Sequence, residues 1–332
     1  MEGVSATNDN NGLGVIQSYT ILKEVFDDDD MHTYPLFLAC YRGDFAHQAP
    51  FFAIKAIPVL DNRNSFQNEV AVARLSPHTN ILNCIEIIEK VQLNFGRFLG
   101  RRYNLLVYPF KSNGDLFEIT SQMRFDEQMI RYYIPQILDA VEHLHKNGLA
   151  HRDIKLDNVL VDENYKLVLA DFGFTVNHSN YKGPRMFETV TSIGICPPEY
   201  HSGGGYKGVD MDLFAIGKLL LTMATGINPF MKANAKDLQY KLVEEGDWET
   251  FWKTIETCVK KKWIKETEFT LEFKELIQGL LSPDPSKRWG IEQIRESEWF
   301  EKTMPKNFDE IQSSLQKARI SVSSRTSLAS AN

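Results

Sequence analysis

Cysteine is scarce in this 332-residue chain. Cys40, Cys84, Cys196 and Cys258 are scattered, and no two stand at the short spacing of a zinc site. That argues against a cysteine metal cage and for reduced thiols. Long apolar runs are absent: no segment has the length and hydrophobicity to span a bilayer or serve as a signal peptide, and Glu2 does not fit an N-myristoylation motif. Positive charge is in deficit as well. A formal net charge of −7 disfavours nucleic acid and anionic membranes as partners. These absences lead to the expectation of a soluble, cytoplasmic protein. The remaining composition, 43% hydrophobic and 24% charged, is that of a globular chain able to bury one large core or two smaller ones.

The richest stretch is His151-Arg152-Asp153-Ile154-Lys155-Leu156-Asp157-Asn158, followed after a short hairpin by Asp171-Phe172-Gly173. Its residue types suit phosphoryl transfer. Asp153 can take the proton of an attacking hydroxyl, Asn158 and Asp171 offer hard oxygens to Mg²⁺, and Lys155 can neutralise charge on the moving group. Either tripeptide alone is weak evidence, since a buried Asp near a turn is most often a cap or an ion-pair partner. The context adds weight. Ile134 to His145 has the apolar period of a helix, with Gly148 as its left-handed stop. Val159–Val161 and Lys166–Ala170 read as two strands around the polar turn Asp162-Glu163-Asn164.

Upstream, Phe51-Phe52-Ala53-Ile54-Lys55 is an apolar strand carrying one lysine, and Glu69 falls on a predicted helix after Asp61 to Asn64. On its own Lys55 reads as a lysine snorkelling from a strand edge. Downstream come Cys196-Pro197-Pro198-Glu199, then Asp212-Leu213-Phe214-Ala215-Ile216-Gly217 opening an apolar helix through Thr225, and Arg288 after Ser282-Pro283-Asp284-Pro285. In this order, over roughly residues 19 to 302, the motifs resemble the eukaryotic protein kinase superfamily, serine/threonine type.

The resemblance implies an α+β, bilobal fold: a small antiparallel sheet lobe over about 19–108, a hinge at about 109–111 and a mainly helical lobe over about 112–302. It implies Asp153 as catalytic base, Lys155 and Lys55 as charge stabilisers and Glu69 as the ion-pair partner of Lys55. Asn158 and Asp171 would be ligands of Mg²⁺. ATP would be bound by Ala53, Lys55, Pro109, Lys111, Asp115, Leu160 and Asp171, with Tyr108 as gatekeeper; Pro109 lacks an N–H, but only its carbonyl is required. Glu199 with Arg288, and Asp212 beneath the catalytic loop, would be structural. Lys155 two places after Asp153, with Ser192 seven before Glu199, implies transfer from ATP to a Ser/Thr hydroxyl of a protein substrate. Asp115 and Asp157 match positions that face arginines upstream of the acceptor, so a mild preference for basic substrates is expected.

One segment departs from the family. Where its glycine-rich phosphate cover belongs stands Phe26-Asp27-Asp28-Asp29-Asp30-Met31-His32-Thr33, with no glycine to let backbone amides close over phosphates. Two like unit charges at ~4 Å cost roughly 4 kcal/mol at an effective dielectric of ~20. Three readings stand. The aspartates turn into water and leave ATP to Lys55 and Mg²⁺; or they exclude nucleotide, making the chain a pseudokinase scaffold; or they hold a divalent cation, for which four consecutive carboxylates form a poor cage. A kinase of small molecules is disfavoured by Lys155 and the Pro-Glu segment.

Arg152 before the catalytic aspartate implies an anion in the activation segment. Glu188, eleven before Glu199, stands where relatives carry a phosphorylated threonine, and Thr189 and Thr191 are neighbouring acceptors. Residues 1–17 are expected to be a disordered leader and 305–332 a flexible Ser/Thr-rich tail. Between them, Trp248, Phe251, Trp252, Ile255, Val259 and Trp263 recur at near-helical spacing, interrupted by Lys260–Lys262. Core packing explains such a stripe more readily than a docking face.

Overall fold

The structure is a computed structural model that describes residues 14–25, 34–43, 50–61, 64–178, 192–203, 205–264, 268–302 and 309–318. The chain divides into two compact units, Met1–Ser112 and Asn113–Asn332.

The first unit is a six-stranded sheet with one helix: β1 (Gly14–Ile16), β2 (Tyr19–Glu24), β3 (Leu36–Tyr41), β4 (Phe51–Pro58), α1 (Ser65–Ala73), β5 (Glu86–Leu93) and β6 (Arg101–Pro109). Spatial order is β1-β2-β3-β4-β6-β5, and every neighbouring pair is antiparallel. The period-2 alternation of β4 decides which side chains reach which face: Phe52, Ile54 and Ala56 are buried in one core with Ile21, Phe37, Leu105 and Val107. Ala53 and Lys55 therefore lie on the opposite face.

The expected leader requires correction at its end. Gly14-Val15-Ile16 forms β1, paired with Tyr19 to Ile21, and Val15 and Ile16 are buried. The gain is apolar burial against the core, and Gly14 is needed for it, since a Cβ there would lie 2.5 Å from the Phe95 ring. The acidic stretch 26–33 falls outside the described residues; at its base Val25 N–H donates to the Leu36 carbonyl (2.7 Å).

The second unit contains α2 (Leu116–Gln122), α3 (Glu127–Lys146), β7 (Leu149–Ala150), β8 (Val159–Val161), β9 (Leu167–Leu169), β10 (Val176–Asn177), α4 (Pro198–His201) and α5 (Gly208–Thr225). It continues with α6 (Leu238–Glu245), α7 (Trp248–Trp263), α8 (Leu271–Leu280), α9 (Ile291–Arg295) and α10 (Glu298–Glu301). Side-chain caps explain several helix starts: Asp115, Asp126, Asp247 and Thr270 each accept an N–H three residues on. Helix α5 is buried on nearly all sides and begins at Gly208, so Asp212 sits in its second turn rather than opening it. Its Gly217 permits close approach of α8, because a Cβ there would come 2.8 Å from Leu280 Cβ.

The aromatic stripe of α7 is core: Phe251, Trp252, Ile255 and Val259 are buried, and Trp252 packs on Phe269 and Phe273. Trp263 ties its end to α5 by donating to the Thr225 carbonyl (2.7 Å). The tail also departs from expectation. Residues 309–318 are helical, with Ile311, Leu315 and Ala318 buried, because that spacing gathers three apolar side chains on one face of an otherwise polar segment. Among the described residues no helix is long and apolar enough to cross a membrane.

Candidate active site

In the first unit the face of β4 opposite that core carries Lys55 toward α1. Its Nζ lies 2.6 Å from Glu69 Oε1 and 5.7 Å from the Tyr34 ring centroid. Glu69 is buried, and its other oxygen accepts the Tyr108 hydroxyl at 2.8 Å. Both carboxylate oxygens are thus engaged, which offsets the cost of burying the charge. Tyr108 reaches Glu69 because it pairs with Ala53 across β4 and β6, two residues before Lys55 on the same strand. Sequence reasoning placed Tyr108 only as a gatekeeper. Its anchoring of Glu69, and the ring of Tyr34 beside Lys55, have no local sequence signal. Phe52 pairs with Pro109 at the end of β6, and Lys111 follows, half-buried.

In the second unit α3 ends at Lys146, Gly148 takes φ 75°, and β7 leads into the loop His151–Asn158. Asp212, wholly buried on α5, holds that loop from below: its carboxylate accepts His151 N–H (2.9 Å) and Arg152 N–H (2.7 Å), and His145 Nε2 lies 2.8 Å away. Arg152 has φ 63° and Asp171 φ 60°, left-handed conformations that cost energy in residues other than glycine and persist here under dense hydrogen bonding. The Arg152 guanidinium donates to the Phe174 carbonyl (2.8 Å) and the Tyr206 hydroxyl (3.0 Å). Asp153 N–H donates to His151 Nδ1 (3.1 Å), so His151 Nε2 carries the proton it gives to the Ala170 carbonyl (3.2 Å). One imidazole thus links the His151–Asn158 loop to the residue before Asp171.

Asp153 Oδ2 accepts Asn158 Nδ2 at 2.7 Å and lies 3.2 Å from Lys155 Nζ. Its other oxygen, Oδ1, is buried with no hydrogen-bond partner among the described residues. Lys155 Nζ donates to Ser192 Oγ at 2.9 Å, and Asn158 Nδ2 also donates to the Asp153 carbonyl at 2.8 Å. Pairing of β8 with β9 brings Asp171 up behind this group, where Gly173 N–H approaches its Oδ1 at 3.3 Å. Asp153, Lys155 and Asn158 therefore form one cluster. Asp115 and Leu160 form another, bridged backbone to backbone. Burial pushes the Asp115 carboxyl up to about 6, with Asp157 adding repulsion, although its cap bond from Glu118 N–H pulls the other way.

The donors suit Mg²⁺. Among the described residues no three His, Cys, Asp or Glu side chains converge into a self-sufficient metal cage. The Asn158 amide oxygen and the Asp171 carboxylate would offer only hard oxygen donors, which suits an ion that takes its remaining ligands from phosphate and water. Further out, Arg288 grips Glu199 in a fork, Nη1 to Oε1 at 2.7 Å and Nη2 to Oε2 at 3.0 Å. Glu188, Thr189 and Thr191 lie outside the described residues.

The sequence profile described as the protein kinase domain matches residues 37–300, well over half of the chain. The chain belongs to the protein kinase family. It is 28% identical over 243 residues to CBL-interacting protein kinase 26 of Oryza sativa subsp. japonica, covering 73% of this chain and 44% of that protein. It is 29% identical over 266 residues to CBL-interacting protein kinase 31 of the same organism, covering 77% and 54%. With CBL-interacting serine/threonine-protein kinase 20 of Arabidopsis thaliana it shares 27% identity over 261 residues, covering 76% and 53%. The chain spans about half the length of the curated relatives it matches.

Proposed function

We propose that this protein transfers the γ-phosphoryl group of Mg·ATP to a serine or threonine hydroxyl of a protein substrate. The observation that carries this reading is the state of Asp153: one carboxylate oxygen is held by Asn158 and Lys155, and the other is buried without a partner among the described residues. An unpartnered buried acceptor costs about 1–3 kcal/mol, which an incoming hydroxyl proton would relieve. Asp153 then orients the hydroxyl and takes its proton. Lys155, steadied by Ser192, stands beside it as the positive charge for the group in transit.

Mg·ATP supplies the phosphoryl group and its own charge neutralisation; Asn158 and Asp171 would hold the metal, and Lys55 the phosphates. The ion pair of Lys55 with Glu69, backed by Tyr108, supports that role because it fixes the ammonium in one place. Asp115 and Asp157 support a preference for basic substrates: their mutual repulsion, part of what raises Asp115, would be relieved by a guanidinium between them.

The acidic stretch Asp27–Asp30 favours a second reading, a scaffold that binds no nucleotide. Thermal unfolding with and without millimolar Mg·ATP, for the wild type, Lys55→Met and Asp171→Asn, separates the two. The kinase reading requires a nucleotide-dependent rise in Tm that both variants reduce, together with phosphoryl transfer to basic Ser/Thr peptides that Asp153→Asn abolishes. No shift and no transfer would leave the scaffold reading standing.

A further inference from the structure

Lys218 lies in the middle of α5, 5% exposed, with no ion-pair partner among the described residues. Burying an ammonium in a helix core costs several kcal/mol unless its donors are well used. Here they are directed at two loops. Its Nζ donates to the Gly194 carbonyl and to the Phe230 carbonyl (2.8 Å), and stands 4.4 Å from the Phe230 ring centroid. The two loops already touch, since a Cβ on Gly194 would lie 3.4 Å from the Met231 carbonyl oxygen.

Gly194 is the centre of a 3-10 turn, Ile193–Ile195. That turn begins beside Ser192, which accepts Lys155, and leads through Pro197 to Glu199, which Arg288 holds. The segment 192–199 is therefore fastened at both ends and once in the middle. The end fastenings belong to the catalytic lysine and to a structural ion pair. The middle one is Lys218. Between the first and second fastenings Ile193 is 41% exposed, and Met231 beside the turn is 69% exposed, so apolar surface stands next to Ser192 and Lys155.

We propose that Lys218 is a positioning residue for the protein substrate: by fastening the Gly194 carbonyl it holds the Ile193–Ile195 turn in the register that seats Ser192 on Lys155 and presents Ile193 to the acceptor chain. This rests on the kinase reading above. Burial lowers the Lys218 pKa to about 8, and the Asp237 carboxylate opposes that fall; Cys196, which burial keeps as a neutral thiol, and His201 are the other titratable groups facing it. Asp237 does so while organising the Phe230 loop, accepting the N–H groups of Met231 (2.8 Å) and Lys232 (3.3 Å).

The test is Lys218→Met, which keeps the length of the side chain and removes its donors, compared with wild type in the full chain. Peptide kcat/KM should fall about tenfold, while the KM for ATP stays within about twofold. Hydrogen exchange at the Ile195 and Cys196 amides, which close the turn onto Ser192 and Ile193, should accelerate. Lys218→Gln, which retains a shorter amide donor, should fall between the two and serves if the methionine variant does not fold. Unchanged peptide kinetics, unchanged exchange, or an equal loss toward ATP would each overturn the proposal. A wild type that transfers no phosphoryl group to any peptide would instead refute the kinase reading. The fastening would then be judged by exchange alone, and a turn no looser in the variant would refute it too.

Discussion

Replacing Tyr108 by phenylalanine removes a single oxygen from the first unit. That oxygen donates at 2.8 Å to Glu69 Oε2, and Glu69 is 2% exposed, so water cannot replace the lost bond without opening the contact between α1 and the sheet. A hydrogen bond to a buried charge contributes about 1.5–3 kcal/mol, and we expect Tyr108→Phe to cost about 2 kcal/mol. The ring should stay in place, because Tyr108 packs with Ile57, Phe66 and Leu106 through its carbon face. The remaining partner of Glu69 is Lys55 at 2.6 Å, so the carboxylate gains freedom to rotate about that pair and Lys55 loses its fixed position. The assay is urea unfolding of wild type, Tyr108→Phe, Glu69→Gln and the double variant. The coupling energy of the cycle should be about 1–2 kcal/mol, because once Glu69→Gln has neutralised the carboxylate there is no charge for the hydroxyl to serve. The Mg·ATP-induced rise in Tm should be smaller in Tyr108→Phe than in wild type. A Tyr108→Phe protein within about 0.5 kcal/mol of wild type, with additive behaviour in the cycle, would refute the reasoning.

Two further outcomes follow from the second unit. Glu199→Gln leaves the buried Arg288 guanidinium with a neutral partner, and one-sided loss of such a pair costs about 3–5 kcal/mol, visible as a lowered urea midpoint; a midpoint within error of wild type would contradict the fork between these two side chains. The raised pKa of Asp115, about 6, means that the native state binds its proton where the unfolded chain has released it. Its favourable contribution is present at low pH and is lost as pH rises from about 4 through about 6. Asp115→Asn keeps the helix cap and removes the titration, so relative to wild type it should gain stability at pH 7.5 but not at pH 4. With allowance for solvent screening the gain is on the order of 1 kcal/mol, and parallel Tm profiles would exclude it.

Much of the site was legible because its residues are held by local spacing. The helix before Gly148, the hairpin that carries Asp171, and the strand that carries Lys55 each announce themselves by period and by turn residues, and the loop between His151 and Asn158 is short enough to keep Asp153, Lys155 and Asn158 together. The pairs Lys55–Glu69 and Glu199–Arg288 were legible only through resemblance, since no periodicity relates positions so far apart. The errors were at the ends. Val15-Ile16 is too short to register as a strand by alternation, and Ile311, Leu315 and Ala318 are too sparse to outweigh a serine-rich composition. Each is settled by what it packs on.

The order and chemistry of the motifs, the protein kinase family and the elements that carry the site were determined by the sequence alone, because they depend on residues within a turn or two of one another. Only the tertiary structure decided that Tyr108 backs Glu69, that His145 meets Asp212, that Tyr206 receives Arg152, and that Lys218 fastens Gly194. These contacts join residues 39, 67, 54 and 24 positions apart. The physical reason is that a buried polar group must find a partner, and which one is within reach is set by how helices and strands pack rather than by any local pattern.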